Sequence, residues 1–249
     1  RSVSRGLGDV YKRQPDIEGE IYRLNPEESK HCIKVLRLEE GDTVALVDGR
    51  GGFYSGIITV ANVKGCQVKV TACTRQYEKR PFCLHIAIAP TKNIERTEWF
   101  LEKCTEIGID EFTPIAAAHS ERRVVKEERL EKVIVAAMKQ SLKAYLPVLH
   151  PMMRFQEFLV NCQYKHKFIA HCQPSTKKRL DEVYTAGEDA VILIGPEGDF
   201  SEEEVAEAAK YGFVSITLGP SRLRTETAGV VACHSINFLN EQQGRFVEL

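Results

Sequence analysis

The 249-residue chain has no apolar run near the roughly 20 residues that a membrane-spanning helix needs. Its first stretch is basic and glycine-bearing, with no apolar segment behind it, so no secretory signal is expected. An excess of one charge is also missing: 34 Lys and Arg face 35 Asp and Glu, a net charge of −1. That excludes a general polycation, and any binding of nucleic acid must come from a local patch. No C-x-x-C pair occurs among Cys32, Cys66, Cys73, Cys83, Cys104, Cys162, Cys172 and Cys233. Cys83 with His85, and His171 with Cys172, each make half a ligand set at most. A zinc site needs about four converging ligands, and no second half is visible. The expectation is therefore free, reduced, mostly buried thiols in a cytoplasmic protein, and no metal. Repeats and low-complexity tracts are absent too.

What is present divides into three parts. Residues 1–14 have no period and no caps and read as a leader that is non-native or disordered. Residues 15–80 read as a small β-rich barrel with one helix. Asn25 caps that helix, Pro26 opens it, and it is predicted to run to about Arg37. Thr43–Val47, Phe53–Val63 and Gln67–Thr74 are alternating, β-branched runs separated by glycines. From residue 81 to 249 strands and helices alternate. Ile94–Ile107 and Glu127–Tyr145 carry helical apolar stripes. Leu84–Ala89, Phe112–Ala116, Phe168–His171, Ala190–Ile194 and Val214–Leu218 are short and mostly continuously apolar, as strands of a parallel sheet covered on both faces are.

The chemistry concentrates between Val191 and Ala228. A strand ends in the loop Gly195-Pro196-Glu197-Gly198. Ser201 and Glu204 then form a capping box, with Phe200 and Val205 as its hydrophobic staple. The next strand ends in Gly219-Pro220, followed by Arg222, Arg224 and Glu226 at the start of the last helix. Neither loop supplies the G-x-G-x-x-G of a dinucleotide fold or the G-x-x-x-x-G-K-[ST] of a P-loop. Two glycine loops at successive strand ends instead leave backbone amides open to a nucleoside-like ligand. A local cationic stretch runs from Arg122 to Arg154. It is also the pattern of a solvated, ion-paired helix face.

The strings Ile194-Gly195-Pro196-Glu197-Gly198, Leu218-Gly219-Pro220 and Leu223-Arg224-Thr225-Glu226-Thr227-Ala228 resemble the signature of the 16S ribosomal RNA uracil-N3 methyltransferase family, of the SPOUT class. His31–Arg37 with Asp48-Gly49-Arg50-Gly51, Lys103–Gly108 and Lys139–Lys143 resemble it too. Asp199 stands where a third glycine is common. The resemblance implies an α/β fold: a PUA-like barrel, then a SPOUT domain with a parallel sheet and a C-terminal trefoil knot. It implies S-adenosylmethionine held by Leu193, Gly195, Pro196, Glu197, Gly198, Leu218, Gly219, Leu223, Thr225 and Ala228. It implies methylation of a uridine N3 in 16S ribosomal RNA of the small subunit. Arg224 would then stabilise charge on the base, and Glu226 would act as base or orienting group. Lys34, Arg37, Arg122, Arg123, Lys139 and Lys143 are the expected RNA contacts. A homodimer packed through Val230–Leu239 is expected. A SPOUT enzyme acting on a ribose 2′-oxygen or a guanine N1, and a non-catalytic RNA-binding module, remain as alternatives.

Overall fold

The computed structural model describes residues 6–8 and 21–242. They form two units. The first takes the chain up to Lys79 together with Val135–Leu146; the second takes Arg80–Ile134 and the chain from Pro147.

In the first unit β1 (Gly6–Gly8), β2 (Ile21–Arg23), β3 (Thr43–Val47), β4 (Phe53–Val60) and β5 (Gln67–Thr74) make one sheet, and α1 covers Pro26–Lys30. The strand order is β1-β3-β4-β5-β2, antiparallel except for β1 on β3. Of the expected leader, Gly6–Gly8 pairs with Ala45, Leu46 and Val47, and its other residues lie outside the described ones. Asn25 Oδ1 accepts from the Glu28 N–H at 2.9 Å, and Pro26 occupies the first turn, where it forfeits no hydrogen bond. The predicted helix to Arg37 is not uniform. After Lys30 it widens to a π-turn over His31–Val35, and Arg37 turns out of it at φ 55°. Leu46, Tyr54, Ile58 and Val68 fill the centre of this unit. Met138 and Ala144 pack on Val47, and the Gly51 N–H donates to the Ala144 carbonyl at 2.8 Å.

The second unit holds β6 (Leu84–Ile88), α2 (Ile94–Ile107), β7 (Glu111–Ala116), most of α3 (Glu127–Gln140), β8 (Val148–Leu149), β9 (Met153–Arg154), α4 (Phe155–Asn161), β10 (His166–Ala170), β11 (Lys178–Arg179), α5 (Leu180–Val183), β12 (Ala190–Ile194), α6 (Glu202–Lys210), β13 (Val214–Thr217) and α7 (Thr225–Gln242). The sheet order is β11-β13-β10-β12-β6-β7-β8, with β9 also on β7, and every pair is parallel. Residues of β6 and β12 are buried throughout, as continuously apolar strands should be. The helix predicted to reach Tyr145 stops at Gln140. Ser141 Oγ donates back to the Ala137 carbonyl and Leu142 takes φ 57°, which ends helical geometry ahead of Pro147. The short elements β8, β9, β11 and α5 have too few residues to show a period.

Helix α7 lies against α2 at one close contact. A Cβ on Gly229 would sit 2.4 Å from a ring carbon of Phe100 and 3.2 Å from Ile88 Cδ1. Overpacking costs about 1–3 kcal/mol, so Gly229→Val should lower the melting temperature by about 2–12 °C. Calorimetric scanning reads this directly; an unchanged midpoint would mean that the two helices separate without cost.

Candidate functional site

Strands β12 and β13 follow each other in sequence but lie on opposite sides of β10. Their carboxyl ends therefore flank the end of a third strand. Such a reversal of strand order leaves a crevice at the strand ends, where ligands of open parallel sheets bind. Here the crevice is a cavity of about 740 Å³, bounded by the loops after β10, β12 and β13 and by the start of α7.

The first glycine loop is held from several directions. The Asp199 N–H closes the turn on the Pro196 carbonyl at 2.9 Å. Glu197 Oε1 accepts from the Lys92 N–H at 2.9 Å, which leaves its other oxygen available to the cavity. A Cβ on Gly198 would lie 2.9 Å from His119 Cβ, so the residue is held small by its neighbour. Asp199 adopts φ 65°, a conformation that Asp tolerates better than most residues and that glycine adopts freely. Its Oδ2 accepts from the Cys172 N–H at 2.7 Å and so ties the loop to the β10 exit. In the second loop Gly219 sits at φ 123°, where an L side chain is strained whatever the space. Thr217 Oγ1 lies 3.1 Å from its carbonyl and 3.3 Å from its N–H, bracing the turn.

Gly195, Pro196, Glu197, Gly198, Leu218, Gly219, Leu223, Thr225 and Ala228 all reach the cavity wall. Leu193 does not: it is wholly buried in mid-sheet, paired with Ile169 and Ala87. Arg224 and Arg222 are exposed on the wall, and among the described residues the Arg224 guanidinium has no partner. Glu226 is off the wall and buried. Its Oε1 lies 3.9 Å from Arg96 Nε, and its Oε2 has no hydrogen bond.

Sequence reasoning missed the third loop. His171, Cys172, Gln173 and Lys177 follow β10 and also line the cavity. His171 Nε2 pairs with Ser215 Oγ at 2.9 Å, while Nδ1 is buried without a partner. Burial, and then the Lys177 charge, lower its pKa, so it is a neutral ring at pH 7. No glycine marks this loop, and only the strand order makes β10 the centre of the site.

The expected RNA-binding cations differ in their surroundings. Lys34 and Arg37 are exposed. Arg122 donates to the Thr91 and Lys92 carbonyls, and Arg123 to the Ala118 carbonyl. Lys139 pairs with Glu28, and Lys143 lies 3.8 Å from Glu78. The eight thiols are free; Cys32, Cys66, Cys104 and Cys233 are buried, whereas Cys73 and Cys172 are exposed.

A second polar cluster lies at the opposite, amino-terminal edge of the same sheet, around His85, Glu111 and His150. Burial lowers the His85 pKa to about 4, with Glu111 opposing and His150 adding to the shift, so this imidazole is neutral.

Residues 78–237 match the model of the RNA methyltransferase domain, and residues 24–71 that of the RNA methyltransferase PUA domain. The chain belongs to the RNA methyltransferase family. An RNA methyltransferase of known structure from Porphyromonas gingivalis, described as a probable rRNA-methyltransferase, is 44% identical with a TM-score of 0.83, over 89% of this chain and 94% of that one. A Legionella pneumophila structure holding the bound cofactor SAM is 26% identical with a TM-score of 0.82, over 94% and 97% of the two chains. The ribosomal RNA small subunit methyltransferase E of Bacillus subtilis is 28% identical, over 96% of this chain and 98% of its own. This RNA methyltransferase thus joins a small, mostly antiparallel PUA-like sheet to a parallel-sheet α/β catalytic domain.

Proposed function

We propose that the enzyme methylates N3 of a uridine in 16S ribosomal RNA of the small subunit, with S-adenosylmethionine as donor. The observation that carries this reading is the cavity at the β10, β12 and β13 ends, walled by two glycine loops with an exposed arginine beside it. Its volume suits a nucleoside-sized ligand. The narrow space at Gly198 and the open space at Gly219 fit a group held by backbone rather than by bulky side chains. When bound, S-adenosylmethionine supplies an electrophilic methyl group. Backbone groups of Gly195, Gly198, Leu218 and Gly219 would hold it, and Thr225 and Ala228 would close the wall. Glu197 is placed to meet a hydroxyl with its free carboxylate oxygen. Arg224 would stabilise negative charge that develops on the base carbonyls as the N3 proton leaves. Glu226, off the wall, would act by orienting the start of α7 rather than by touching the ligand. The names of the Porphyromonas gingivalis and Bacillus subtilis relatives favour ribosomal RNA as substrate.

Mass spectrometry of ribosomal RNA nucleosides, from a deletion strain with and without the complementing gene, tests the reading. N3-methyluridine should vanish and return. Loss of a ribose 2′-O-methyl or an N1-methylguanosine instead would assign the chain to another SPOUT reaction, and no change would support a binding module alone. Calorimetry with S-adenosylhomocysteine should find one site per chain.

We also propose a C-terminal trefoil knot, a cytoplasmic location and a homodimer. No helix of the described residues is long and apolar enough to cross a membrane. Support for the dimer comes from α7. Ala232, Cys233, Ile236 and Asn240 face inward, while Val230, Val231 and Leu239 are half-exposed and Phe238 is 45% exposed. Trp99, on the neighbouring α2, is exposed as well. An apolar surface of this kind normally finds a partner. Light scattering at micromolar concentration should report twice the chain mass, and Phe238→Glu should shift it toward the monomer.

A further inference from the structure

At the amino-terminal edge of the parallel sheet, three potential ligands converge from three neighbouring strands. His85 is the second residue of β6, Glu111 opens β7, and His150 follows β8 directly. One ligand atom from each lies within 4.8 Å of the other two. His150 Nε2 is 2.6 Å from Glu111 Oε2, and His85 Nδ1 is 3.8 Å from the same oxygen.

The arrangement is unbalanced as it stands. His85 Nε2 is 2.7 Å from Thr113 Oγ1. In the tautomer that donates Nε2–H to this hydroxyl, Nδ1 carries a lone pair. That atom is buried and has no hydrogen-bond partner, and the side chain is only 6% exposed. A lone pair and a carboxylate then face one another across a short gap. The Glu111 oxygen already has His150 as a partner, whereas His85 Nδ1 has none, and leaving a buried polar atom unpaired is costly. A divalent cation between them removes the conflict. The Nε2 contact to Thr113 is the outer hydrogen bond that metal-bound histidines ordinarily make, and it fixes the ring and its tautomer. Cys83 Sγ lies 3.5 Å from Glu111 Oε1 but outside the converging set. Glu111 and His150 are 28% and 34% exposed, so water can reach the fourth position.

We infer that His85 Nδ1, the Glu111 carboxylate and His150 Nε2 bind a zinc ion, which fastens the two-residue edge strand β8 to β6 and β7. Two imidazoles and a carboxylate, with water in the fourth position, are a known tetrahedral zinc set of the kind that keeps one position open. The site lies at the other edge of the sheet from the glycine loops, so it takes no part in the proposed methyl transfer and does not rest on it. The ligands that join His85 come from residues 26 and 65 positions further on, which is why no local spacing showed them.

The test uses the full chain, stripped with EDTA, moved to chelator-free buffer and titrated with zinc chloride by calorimetry. One zinc should bind per chain, with a rise in melting temperature on addition. Thr113→Val should weaken binding by about 10–100-fold, and His150→Ala and Glu111→Gln should weaken it further. A protein carrying Cys73→Ser and Cys172→Ser, the two exposed thiols, should bind as the parent does. Cobalt in place of zinc should give the intense visible bands of a tetrahedral site, lost in His150→Ala. Circular dichroism shows whether each variant is folded. If Glu111→Gln is not, His150→Ala decides, because that side chain is partly exposed. Absence of stoichiometric zinc overturns the inference. So does binding that survives His150→Ala, or binding that disappears with the exposed cysteines.

Discussion

Arg224→Ala should slow methyl transfer by on the order of 10²–10³ while leaving cofactor affinity nearly unchanged. The expectation rests on where the residue stands. Arg224 leaves the second glycine loop one position before α7, on the wall of the cavity, and no carboxylate among the described residues neutralises it. A guanidinium in that place is available to charge that appears only as the base loses its N3 proton. An interaction stronger in the transition state than in the ground state changes kcat more than KM. Arg224→Lys should recover part of the rate, since a point charge cannot reproduce a planar fork. Single-turnover methylation of ribosomal subunits lacking the modification measures the rate, beside calorimetry with S-adenosylhomocysteine. A parental rate in Arg224→Ala would remove the catalytic role. Joint loss of cofactor binding and thermal stability would instead make Arg224 a support of the loop.

RNA affinity should fall steeply with salt. A chain of net charge −1 offers phosphates no general attraction, so local cations must supply it. Contact with about four phosphates would lower affinity by about 50- to 150-fold between 50 and 200 mM salt. Lys34 and Arg37 are exposed, whereas Lys139 and Lys143 sit beside Glu28 and Glu78. The first pair should therefore matter more. Replacing Lys34 and Arg37 with alanine should reduce the slope of log affinity against log salt by about 1.4–1.8. Replacing Lys139 and Lys143 should reduce it less. Filter binding over a salt series gives both slopes, and a flat profile would reject the electrostatic account.

Local signals in the sequence were reliable wherever one short segment carries its own physics. The Ser201–Glu204 capping box forms as read, with both reciprocal hydrogen bonds. Asn25 and Pro26 start α1. The continuously apolar runs became the buried strands β6 and β12. Each of these follows from neighbours within about four residues, or from a periodicity that burial imposes. The two glycine loops are of the same kind, because the backbone freedom they need is written in the residues themselves.

Other features depended on strand order, which no local pattern encodes. Only the placement of β12 and β13 on either side of β10 brings His171 and Lys177 to the same cavity as Gly198 and Gly219. Only the tertiary fold turned Glu226 away from that cavity toward Arg96 and left Leu193 in mid-sheet. The joining of Val135–Leu146 to the first unit arises because Met138 and Ala144 find their apolar neighbours on Val47, far away in the chain. The convergence of His85, Glu111 and His150 has the same origin. Chain order determined which residues could cap, turn and fill a strand; the pairing of distant strands, driven by the burial of their apolar faces, decided which of those residues meet.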